Sequence, residues 1–125
     1  MAECDWAILC THAFRDAHHR LGMIGIFDAL VFDSLPQPLR HGWLNVKFRG
    51  NPGEKVAFAV RIYSPAAEVT EAPEHPPIKI GPAGSAEMSL DLQDFAPARF
   101  GRYEIEIRVD GRPGVVTTLL IVPAA

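Results

Sequence analysis

The sequence predicts an all-β fold: two antiparallel sheets packed as a β-sandwich of seven or eight strands, immunoglobulin-like or jelly-roll in topology. Three observations carry this prediction. Residues 43–49, 56–63, 86–92 and 103–109 each place every second side chain on one apolar face, the period of a half-buried strand. The 10 glycines and 11 prolines sit mainly between such runs, where the turns of short strands need them. At 125 residues, 48% hydrophobic and 22% charged, the chain has the make-up of a globular domain. Residues 1–125 are therefore read as a single β-sandwich domain, without internal repeat or linker.

The first strand is predicted over Cys4–Phe14. Its even positions (Cys4, Trp6, Ile8, Cys10, His12, Phe14) and much of its odd set are apolar, so both faces look buried. The polar turn Arg15–Arg20 leads into a second strand over Leu21–Phe32, again apolar on both faces; Gly22 and Gly25 within it suggest a bulge or close backbone approach. Asp33–Pro38 is a loop, because each proline removes a ladder donor. A hairpin is expected next, with Leu44, Val46 and Phe48 inward, a turn at Asn51–Glu54, and Val56, Phe58, Val60 and Ile62 returning on the buried face. Ser64–Pro77 lacks periodicity and reads as a long crossover between sheets. Ile78–Ile80 is a short edge strand, and Ala86, Met88, Leu90 and Leu92 alternate with polar residues. The closing hairpin pairs Tyr103–Val109 with Val115–Val122 across Asp110–Gly114.

Two consecutive strands with two apolar faces have a consequence. In a two-layer sandwich only one face of each sheet is buried against the other, and a large bare apolar patch is unusual on a monomer. A symmetric homodimer is the expectation; cover by the proline-rich crossover is the alternative.

Three stretches carry a resemblance: Ala7-Ile8-Leu9-Cys10, Leu21-Gly22-Met23-Ile24-Gly25-Ile26-Phe27-Asp28, and Phe100-Gly101-Arg102-Tyr103-Glu104-Ile105 followed by Val109-Asp110-Gly111. Together they resemble an uncharacterised bacterial family of small single-domain β-sandwich proteins. The resemblance implies the fold and a bacterial origin, and it supplies no activity. Members carry acidic residues after the first cysteine, where this chain has Thr11 and His12. No role for those carboxylates transfers.

Composition narrows the function classes. A net charge of −3 with scattered Lys and Arg argues against nucleic acid as a partner. No apolar run approaches the ~20 residues of a membrane span, and the acidic start Met1–Asp5 lacks a signal peptide's basic region, so a cytoplasmic location is expected. Cys4 and Cys10, six residues apart on one strand, would lie roughly 20 Å from each other, so both thiols are expected free.

His12, His18 and His19 form the one cluster with metal-ligand chemistry, although adjacent histidines on a regular strand point to opposite faces. The plainer reading is two solvated turn histidines and one packed on the sheet. Asp28 shares a face with Ile24, Ile26, Leu30 and Phe32, where a carboxylate must be paired or shift its pKa; it is read as a structural acceptor or a ligand-orienting group. Cys10 and His12, at i and i+2, are close enough to touch, but no activated nucleophile, phosphate loop or cofactor motif is present. Trp6, Trp43, Arg61 and Tyr63 are candidates for an aromatic-cationic interaction surface. The leading functional expectation is a non-enzymatic, cytoplasmic binding module that self-associates and engages a protein partner, without nucleic acid, membrane or cofactor. The alternative is a small-ligand or metal-binding module using His12, His18, His19 and Asp28.

Overall fold

The computed structural model describes residues 1–72 and 75–124 and resolves their apolar runs into strands β1 (Glu3–Arg15), β2 (Leu21–Ile26), β3 (Ala29–Phe32), β4 (Trp43–Arg49), β5 (Lys55–Val56), β6 (Phe58–Tyr63), β7 (Val69–Glu71), β8 (Ile78–Lys79), β9 (Ser85–Asp91), β10 (Gly101–Val109) and β11 (Arg112–Pro123). The chain is all-β. Its strands form a four-stranded sheet in the order β2-β1-β4-β9, a five-stranded sheet in the order β3-β11-β10-β6-β7, and the small pair β5-β8. Among the described residues every pairing is antiparallel except β11 with β3.

The period-2 reading holds at the side-chain level. Leu44, Val46 and Phe48 of β4 are fully buried, and Phe58, Val60 and Ile62 of β6 nearly so. They share one cluster with Leu9 of β1, Ile105 and Ile107 of β10, and Leu119 and Ile121 of β11. The inner faces of both larger sheets therefore feed a common core, each such side chain contributing about 1.5–3 kcal/mol. The β10–β11 hairpin forms as expected, with Tyr103 opposite Leu119 and Ile105 opposite Thr117.

Four expectations are corrected. Among the described residues the strands number eleven in three sheets, where seven or eight in two were expected, and one pairing is parallel. The expected 43–49/56–62 hairpin does not form: β4 pairs with β1 and β9, whereas β6 pairs with β10 and β7. The Asn51–Glu54 turn hands the chain to the β5–β8 pair, where the Gly53 and Ile80 amides donate to the Ile80 and Glu54 carbonyls. Phe48 and Phe58 consequently meet across the core, ring centroids 5.0 Å apart, instead of side by side. The apolar run 21–32 is broken at Phe27–Asp28, where the Phe27 amide bonds to Leu9 of one sheet and the Asp28 carbonyl to the Leu120 amide of the other. Finally, the 64–77 crossover contains β7, on the edge of the five-stranded sheet; Pro73 and Glu74 of that crossover lie outside the described residues.

The outer face of the four-stranded sheet is partly covered by its own chain. β1 pairs with β4 over Glu3–Cys10 and with β2 over Cys10–Arg15, so the far half of the β1–β2 hairpin extends past β4. A straight strand would hold Arg15 about 30 Å from Trp6. Yet Arg15 donates to the carbonyl of Glu87, which lies level with Trp6 on β9, at 2.6 Å. The hairpin arm must bend back across the sheet. Beneath it, Cys10 and Asn45 are fully buried although they point away from the core. Asn45 Nδ2 donates to the Ile8 carbonyl and Cys10 Sγ, and Asn45 Oδ1 accepts from Ser89. Ile24, Ile26 and Val31 stay 60–65% exposed.

Candidate functional site

The aromatic-cationic surface read from the sequence does not assemble. Trp6 and Trp43 lie on the outer face of the four-stranded sheet, opposite Lys47 and Cys10 respectively. Arg61 and Tyr63 lie on the outer face of the other sheet, opposite Glu106 and Glu104. Core material separates the two pairs. Around Arg61 the charges already satisfy one another: Arg61 Nε meets Glu71 at 2.7 Å, and Glu106 accepts from both Tyr63 and Arg108. The Tyr63 hydroxyl first, and Glu71 second, hold the Arg61 guanidinium above its ordinary pKa.

The histidine cluster is also not brought together. His12 stacks on His41 with centroids 5.9 Å apart and shares a hydrogen bond with the Thr11 hydroxyl. His18 and His19 are exposed in the β1–β2 turn, which Asp16 organises by accepting from the His18 and Arg20 amides. Those amides, Arg20's foremost, pull the Asp16 carboxyl below its usual range. Asp28, expected on a buried face, is exposed at the crossover between sheets. Among the described residues no three His, Cys, Asp or Glu side chains converge as a metal site would require.

Cys4 and Cys10 are both free, as expected. The buried Cys10 thiol donates to the backbone carbonyl of His12, not to its ring, so this pair is not a nucleophile with its base. Burial pushes the Cys4 thiol up to about 11, and the thiol donates to the Trp6 carbonyl.

What the sequence did not single out is a cleft where the edges of the two larger sheets face each other. Its inner chamber, about 180 Å³, is walled by Leu44 and Leu90 from one sheet and by Phe58, Val60 and Ile62 from the other. His75 closes one side with its ring stacked on Phe58 at 5.1 Å. Ile62, Asp91 and Leu92 are shared with an outer chamber of about 430 Å³, which also takes in Thr70, Asp94 and Phe95. The outer chamber alone falls in the ~300–1,000 Å³ range of small-molecule sites. The edge strand on this side of the five-stranded sheet, β7, is three residues long. The alternation of Leu90 and Leu92 with Asp91 was legible in the sequence, but not the gap they face.

The architecture and this cleft define the class: an all-β chain of three sheets with an apolar cleft between sheet edges. The chain belongs to the Family of unknown function (DUF6941), matched over residues 5–122. No curated protein matches it. Among solved structures it is similar to Pseudomonas fluorescens alkylpurine DNA glycosylase AlkC bound to DNA containing an abasic site analog, at TM-score 0.49 and 9% identity, over 93% of this chain. This chain spans 30% of that one's length. The expectation of a homodimer with a protein partner and no nucleic acid is withdrawn; that structure is a complex with DNA. At this level of similarity the likeness itself carries no argument about what this chain binds. Among the described residues no helix is long and apolar enough to cross a membrane.

Proposed function

We propose that this protein is a non-enzymatic binding module that holds a small apolar molecule in the cleft between its sheet edges. One observation carries the reading: a chamber of about 180 Å³ walled by Leu44, Phe58, Val60, Ile62 and Leu90. An apolar cavity of roughly 150 Å³ suffices for a benzene ring and stays dry without it. The non-enzymatic part is supported by Cys10 and His12, whose polar atoms are turned to other partners. We also read the two facing sheets as a β-sandwich of immunoglobulin-like type. The Tyr103 hydroxyl, near the start of β10, donates to the Arg99 carbonyl at 2.8 Å, the backward-reaching bond of a tyrosine corner.

The test is titration with benzyl alcohol, followed by amide chemical shifts and thermal melting. The expected result is shifts centred on Val60, Ile62, Leu90 and Leu92 with a raised Tm, since a ligand bound only by the native state stabilises it. Leu90→Phe, which fills the chamber from a half-buried position, should abolish both. Shifts centred instead on Ile24 and Ile26, or none at all, would overturn the proposal.

A further inference from the structure

The inner chamber is walled by aliphatic side chains and two stacked rings, Phe58 and His75. One polar group on that wall selects a ligand. Asp91, at the margin, does not supply it: in the ladder it stands opposite Trp43, on the outward face of β9. His75 does, and two contacts fix its ring. It stacks on Phe58 with centroids 5.1 Å and planes 27° apart, and its Nδ1 lies 2.6 Å from the Pro76 carbonyl. A carbonyl oxygen only accepts, so Nδ1 carries the proton and donates. In a neutral imidazole the other nitrogen is then an acceptor. Among the described residues nothing donates to His75 Nε2, and none of their buried side-chain polar atoms lacks a partner. Nε2 is therefore not sealed in the core. It is an acceptor open to an incoming donor, on a ring that borders an apolar chamber.

We infer that the cleft's occupant is a small phenol: one aromatic ring among Leu44, Val60, Ile62 and Leu90, with its hydroxyl donating to His75 Nε2. This rests on the small-ligand reading above. The chamber of about 180 Å³ suits a single ring, and the Phe58–His75 stack offers that ring an aromatic neighbour. A ligand without a donor would cover Nε2 and leave it unpaired, which costs affinity.

Phenol and toluene share size and ring and differ in hydroxyl against methyl, so the pair isolates the acceptor. At pH 8 the ratio of phenol to toluene affinity should be roughly tenfold higher in the wild-type chain than in His75→Phe, equivalent to about 1.4 kcal/mol. The phenylalanine keeps a ring on Phe58 and removes the acceptor, and retained toluene affinity shows that variant to be folded with its chamber intact. On the wild-type chain, long-range nitrogen–proton NMR spectra should show His75 as the Nδ1–H tautomer, and phenol but not toluene should move the Nε2 resonance. This second measurement decides the matter if the variant loses toluene. An unchanged ratio in His75→Phe, an Nε2–H tautomer, or an Nε2 resonance that phenol leaves in place would overturn the phenol assignment, while toluene binding would leave the cleft reading standing. No binding of either compound would overturn both.

Discussion

Along one side of the molecule, β2 runs into β3 through two residues, so a continuous chain ties the edge of one sheet to the edge of the other. Along the opposite side, the edges are β9 and β7, which come from separate segments, and β7 has only three residues. The first side is shut, and its surplus apolar side chains, Ile24, Ile26 and Val31, are pushed outward to 60–65% exposure. On the second side Leu90 of β9 faces a cavity, while Val69 of β7 is half exposed. What differs is whether covalent continuity holds the sheets together at that point, and this decides whether hydrophobic surface ends up as a patch or as a pocket.

The comparison breaks most readily at the wall of the open side. Phe58 is 4% exposed and packs on both Phe48 and His75. Phe58→Ala should therefore lower stability by about 3–5 kcal/mol in urea denaturation. A loss under 1 kcal/mol would mean that the cleft is not backed by a packed core.

Next in size is the covered face beside the shut edge. Asn45→Ala strands the Ser89 hydroxyl and the Ile8 carbonyl under the hairpin arm, at a cost of about 1–3 kcal/mol. It should also expose Cys10, so that the thiol begins to react with a disulfide reagent that leaves the wild-type protein untouched. If Cys10 already reacts in the wild type, the arm does not cover that face.

Acid should loosen the same arm. The native Asp16 carboxyl is held below its usual value near 3.8 by the Arg20 and His18 amides. A depressed native pKa gives stability that is present above the unfolded value and lost as pH falls through the native one. The protection factors of the His18 and Arg20 amides should therefore fall as pH drops from about 4 downward, and Asp16→Asn should remove this acid dependence. Cys4 has the opposite sign: its native pKa is raised from 9.0 to about 11, so its contribution is complete below pH 9 and lost as pH climbs toward 11. Cys4→Ser should flatten that alkaline limb.

The smallest effect is expected at the shut edge itself. Ile26 is 65% exposed, and Ile26→Lys should alter stability by no more than about 0.5 kcal/mol, with benzyl alcohol binding unchanged. A large loss would show that the β2–β3 edge is packed against something and is not a bare surface.

Local sequence determined the strands. Leu44, Val46 and Phe48, and Phe58, Val60 and Ile62, were legible as buried faces because alternation is a property of a strand alone, whichever neighbour it takes. The β10–β11 hairpin was legible for the same reason with a short turn added. Partner choice was not legible: the 43–49 and 56–62 runs suit a hairpin as well as they suit two facing sheets, and only the β5–β8 pair diverts the chain between them. The candidate site was hidden for a related reason. Trp6, Trp43, Arg61 and Tyr63 share outward orientation, yet orientation is defined relative to each sheet, and the two sheets point outward in opposite directions. By itself, then, the sequence determined the all-β class, the core-facing residues and the free state of Cys4 and Cys10. The tertiary structure alone decided that the edge at β7 and β9 stays open, because a gap between two sheets depends on the lengths and pairings of strands remote in the chain.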